Sequence, residues 1–181
     1  MEITKKLTEV KISDTFKVAD IEWIKFVEKD GTVIAVAKDI LFRSEFGSNN
    51  NYADTNCLIR KRLETEVLPK IENEIGTENL MEFETDLISL DGDKQYGKYE
   101  SKIGLPTFDF YRENVEIFDK HKLDKWWWLS TPFSTNKHLD NYWFSCVSPI
   151  GYVDFDYDYN DNHGVRPFMI FVSSISVTCE E

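Results

Sequence analysis

Residues 142–159 read YWFSCVSPIGYVDFDYDY, and from Val153 onward the pattern alternates strictly, with Val153, Phe155, Tyr157 and Tyr159 on one side and Asp154, Asp156 and Asp158 on the other. A period of two is the mark of an extended strand, because successive side chains point to opposite faces of a sheet. The flanking segments KWWWLSTPF (125–133) and VRPFMIFVSSISV (165–177) have no helical period either. The last third of the chain is therefore expected to be antiparallel sheet, with the acids of 154, 156 and 158 as its solvated face.

Working outward, residues 16–42 hold two β-rich runs, Ile21–Val27 and Thr32–Ala37, joined through Asp30-Gly31, a strong hairpin signal. Residues 44–51 are polar and read as a surface loop. Ile59, Leu63 and Val67 recur every fourth residue, with Asp54 or Thr55 placed to cap a helix, and Pro69 should end it. A second short helix is expected from Pro69 to Ile75, stopping at Gly76. Between 80 and 105 the signals favour loop, with one short strand near Leu87–Leu90. Thr107 then caps a helix over Phe108–Lys120 whose apolar face is Phe110, Val115 and Phe118. Together these predict a single α+β domain over 1–181, an antiparallel sheet with two or three helices. It divides into a hairpin (16–42), a helical part (54–120) and a β part (125–177) that carries the contact face.

Hydrophobic residues make up 41% and charged residues 30% of the 181, enough apolar surface to drive folding. The formal net charge of −12 repels phosphate backbones and anionic lipid heads, so neither direct nucleic-acid binding nor membrane association is expected. The same charge favours a basic protein partner. No apolar run is long enough for a membrane span or a signal segment. Cys57, Cys146 and Cys179 are odd in number and unpatterned, as reduced thiols of a cytoplasmic protein would be.

The chemistry-bearing patterns are sparse. Counting Asp156 as the first ligand of a calcium loop puts Asp161 where Gly is needed and Pro167 where Glu is needed. Cysteine or histidine pairs at zinc spacing and Gly-rich phosphate loops are missing from the sequence. Cys146 or Ser130 with His163 or His138 is the nearest thing to a nucleophile and base, and neither lies in an elbow motif. No enzyme activity, cofactor or metal is expected. Aromatics reach 14%, and rings beside carboxylates and amides suit protein or glycan recognition as well as they suit a core. The candidate binding residues are Trp126, Trp128, Asp154, Asp156, Tyr157, Asp158, Tyr159, Asn160 and His163. Trp127 and Arg166 are expected to be structural, Arg166 reaching back to a carboxylate to pin two strands.

Three blocks carry a resemblance: Trp127-Trp128-Leu129-Ser130-Thr131-Pro132, the polar hairpin after Val153, and Gly164-Val165-Arg166-Pro167-Phe168. With Asn56–Leu63 upstream, they make the chain from about Phe16 to Val172 resemble domain of unknown function family 6273, found in bacterial and phage proteins. Ser130 departs from the family's usual Arg, and Asp161-Asn162-His163 from its usual turn. The resemblance implies a C-type-lectin-like C-terminal half and a non-catalytic module that binds a protein or glycan, in a bacterial cell or a phage particle. The alternative is an acidic intracellular inhibitor of a nucleic-acid-binding host protein, of the phage anti-defence or anti-CRISPR type, whose acid row mimics a phosphate backbone.

Overall fold

The computed structural model describes residues 2–135, 137, 142–157, 160 and 163–180. Asp158, Tyr159, Asp161, Asn162 and His138 lie outside the described residues.

Strands β1 (Glu2–Lys6), β2 (Thr15–Val18), β3 (Ile21–Lys29) and β4 (Thr32–Ala37) open the chain. The hairpin closes between Lys29 and Thr32, with φ of 50° at Asp30 and 77° at Gly31, the left-handed pair that a two-residue turn of this kind requires. Lys25 is buried on β3, and its ammonium donates to Leu7 O (3.0 Å), Val10 O (2.8 Å) and the Glu28 carboxylate, so all three of its protons have acceptors.

After β5 (Phe42–Arg43) comes one continuous helical stretch: α1 (Leu58–Arg62), a π turn over Leu63–Val67, and α2 (Leu68–Ile75). Pro69 does not break it. The Leu68 amide reaches back five residues to Leu63 O, and this wider turn restarts the helix so that Pro69 falls in the first turn of α2, where no amide is needed. Ile59, Leu63, Val67 and Ile71 form its buried stripe, and Gly76, at φ 85°, ends it.

The 80–105 region holds more strand than its composition suggests: β6 (Leu80–Met81), β7 (Phe83–Asp86), β8 (Lys98–Ser101) and β9 (Ile103–Gly104). The strand expected at Leu87–Leu90 is instead the start of a turn in which Ser89 and Asp93 exchange backbone and hydroxyl hydrogen bonds. Thr107 caps as expected, its hydroxyl accepting from Phe110 N at 3.0 Å. The helix breaks once, at Asn114, into α3 (Phe108–Glu113) and α4 (Val115–Lys120), which turns Val115 out to solvent while Phe118 stays buried.

Strands β10 (Trp127–Pro132), β11 (Trp143–Val147), β12 (Val153–Tyr157), β13 (Gly164–Val165), β14 (Phe168–Val172) and β15 (Ser176–Glu180) complete the chain. The architecture is mixed α and β, dominated by antiparallel sheets. One sheet runs β1-β15-β2-β3-β4-β14-β6 with β9 also on β14, a second runs β12-β11-β10-β13-β5, and β7-β8 is a separate hairpin. The central strands of both large sheets are covered on two faces. Trp23, Phe171, Trp128 and Phe144 pack with the long helix in one cluster, and Ile24, Phe26, Trp127 and Leu129 pack with α3 and α4 in the other. Gly164 is the tight point between β10 and β5, since a Cβ there would lie 2.3 Å from Ile40.

Candidate binding platform on the five-stranded sheet

Strand β12 is the open edge of its sheet, and its two faces are the reverse of the expected ones. Asp154 lies across from Cys146 and Asp156 from Phe144, both fully buried, so the acids sit on the inner, half-buried side. Phe155 and Tyr157 point the other way and are 37% and 38% exposed. The reason lies in the edge. Ser148 N donates to Tyr152 O at the hairpin end, so strict alternation along the antiparallel pair leaves the amides of Phe155 and Tyr157 on the unpaired side. The preceding carboxylates take them: Asp154 Oδ1 accepts from Phe155 N at 2.9 Å and Asp156 Oδ1 from Tyr157 N at 2.7 Å. The acids thus close a sheet edge that would otherwise recruit another strand.

On the outer face the rings gather. Tyr157 lies directly across from Trp143, with centroids 4.0 Å apart, and Phe133 packs on Phe155 at 4.5 Å. Phe133, Trp143, Phe155 and Tyr157 form a ring platform beside the edge, over the buried Ser145, whose hydroxyl donates to Thr131 O at 2.6 Å. Of these rings only Tyr157 was a sequence candidate. Phe133 and Trp143 reach the platform through cross-strand register, which a linear pattern does not display.

Behind the platform the structure gathers five other candidates. His163 lies flat on Trp128 (4.3 Å between centroids) and tilts against Trp126, which meets Tyr152 edge-on. Asp156 Oδ2 accepts from Asn160 Nδ2 at 2.7 Å and stands 3.4 Å from His163 Nε2. Trp128 is fully enclosed, its indole N–H donating to Ser44 O at 2.9 Å, so it is a core residue and not part of a contact surface. His163 is buried too, and neither ring nitrogen makes a hydrogen bond among the described residues. Burial pushes its pKa down, and Asp156 pulls the other way without prevailing. A histidine held neutral in the fold resists a proton that the unfolded chain accepts, so its contribution is complete above the unfolded value of about 6.5 and is lost as pH falls below it. Between about pH 6.5 and 5, wild-type stability should fall with a steeper slope than that of His163→Gln, measured by urea unfolding at each pH. Equal slopes would show that His163 does not contribute.

Arg166 is buried as a structural residue, but its expected carboxylate partner is replaced by a backbone carbonyl and aromatic faces. Its Nε donates to Ala37 O at 3.0 Å, and its guanidinium lies over Trp127 (4.8 Å) and Phe118 (5.5 Å). The three thiols are free and buried. Burial pushes Cys57 up to about 12, and burial with Asp154 and Asp156 nearby raises Cys146 further, so neither sulfur is a ready thiolate. Among the described residues no three His, Cys, Asp or Glu side chains converge to hold a metal, and no helix is long and apolar enough to cross a membrane. No family model, curated protein or solved structure matches the chain.

Proposed function

We propose that the protein is a non-catalytic binding module with a lectin-like C-terminal half, and that its contact surface is the platform of Phe133, Trp143, Phe155 and Tyr157. The observation that carries this reading is the exposure of paired rings on a sheet whose edge amides are already taken by Asp154 and Asp156. Large stiff rings left in water mark a recognition surface when they are contiguous, and the closed edge directs a ligand to the ring faces instead of to strand addition. The rival inhibitor reading, with a row of carboxylates mimicking a phosphate backbone, draws on the net charge of −12 and is less favoured by Asp154 and Asp156, whose carboxylates bond to their own strand edge.

The test is an array of glycans and peptides probed with wild type and with Phe155→Ser/Tyr157→Ser. The platform reading expects ligands held by wild type to lose roughly tenfold in affinity in the double variant, as truncation of contact rings does elsewhere. An unchanged binding profile would refute it.

A further inference from the structure

The Phe133 end of the platform is acidic. Beside Phe133, the Ser134 hydroxyl donates to Asp91 Oδ2 (2.8 Å) and the Thr135 hydroxyl to Asp93 Oδ2 (2.9 Å), which Lys137 also pairs with, while Leu90 N donates to Pro132 O. The loop bearing these acids is therefore tied to the strand that delivers Phe133. A cleft of about 340 Å³ adjoins the same loop, lined by Asp86, Ser89, Leu90, Asp109, Arg112 and Thr131 among others. Asp109 is paired there with Arg112, and Asp86 accepts an amide hydrogen bond from Ile88 and lies across from Lys98, whose ammonium pairs with Glu84. Rings with carboxylates at one end attract a cation twice, through the negative ring face and through direct pairing.

We infer that the platform's partner is a basic protein segment, whose lysine or arginine side chains stack on Phe133, Trp143, Phe155 and Tyr157 while Asp86 and Asp91 in the adjoining cleft and loop pair with its charge. This rests on the platform reading above and adds the ligand's chemistry to it. The net charge of −12 steers such a segment in and repels anionic competitors. The occupied amides of Phe155 and Tyr157 leave the partner's side chains, not its backbone, to make the contact.

The experiment uses fluorescence anisotropy with a labelled arginine peptide of about eight residues, a Gly/Ser peptide of equal length, and a neutral oligosaccharide, at about 50 and about 300 mM salt. Three double variants are compared with wild type: Phe155→Leu/Tyr157→Leu, which keeps apolar bulk without ring faces; Asp86→Asn/Asp91→Asn; and Glu66→Gln/Glu78→Gln, the same charge change on the helical side. The expected result is salt-sensitive binding of the arginine peptide alone, weakened roughly tenfold by each of the first two variants and less than about twofold by the third. Equal losses in both acid variants would reduce the effect to net charge and overturn the inference. Binding of the neutral oligosaccharide but not the arginine peptide, lost with the rings, would overturn the basic partner and leave the platform standing. Indifference of every probe to the ring variant would remove both.

Discussion

Trp128→Ala is expected to lower the unfolding free energy by about 3–5 kcal/mol, the range for removing a large buried aromatic. The ring is 0% exposed. It supports His163 on one face, meets Phe46 edge-on, and fastens Ser44 O through its indole N–H, so it joins β10, the segment after β5 and the turn into β13. Truncation opens a cavity beneath a buried histidine, and water admitted there would relieve the burial that keeps the ring neutral. Urea unfolding of wild type, Trp128→Ala and Trp128→Phe separates volume from hydrogen bonding, the Phe variant being expected to recover more than half of the loss. A Trp128→Ala protein of near wild-type stability would mean that the ring is not the keystone its burial indicates.

The same residue shows how far the sequence could be read. Alternation puts Trp127 and Trp128 on opposite faces, and they do lie in different clusters. That Trp128 would therefore belong to a contact surface does not follow, because both faces of β10 are covered, one by the long helix and the other by α3 and α4. A run such as WWLSTP, with no polar alternation, is the pattern of a strand buried on both sides. The acids of β12 carry a related lesson. A period of two reports that the faces differ but not which one is wet, and the open edge, not general polarity, decided where Asp154 and Asp156 turned. Local chemistry was legible wherever a few adjacent residues suffice: Asp30-Gly31 set the first hairpin and Thr107 set the start of α3. Phe133, by contrast, meets Phe155 only through pairing between β10, β11 and β12, which no short window contains.

Arg166 yields the second large effect, and here charge and volume make opposite demands. A guanidinium 1% exposed, with no ion pair among the described residues, carries a desolvation cost of several kcal/mol, and its burial lowers its pKa to about 10 even though Asp39 and Tyr111 act to raise it. Its return comes from the bond to Ala37 O and from stacking over Trp127 and Phe118, both of which depend on a flat, filled volume at that position. Arg166→Ala removes the volume and is expected to cost about 3 kcal/mol, despite relief of the buried charge. Arg166→Met keeps most of the volume without the charge and is expected to lie within about 1.5 kcal/mol of wild type, since a buried ion replaced by a well-packed apolar group is often close to neutral. Arg166→Lys keeps a charge that can neither stack flat nor shed its hydration as readily, and should be at least as damaging as Ala. Urea midpoints of the three variants order these terms. If Met proved as costly as Ala, the cation itself would be what the fold needs, and the small cavity beside it, lined by Ser148, Gly151 and Asp119, would be where to seek the acceptor for Nη2, which makes no hydrogen bond among the described residues.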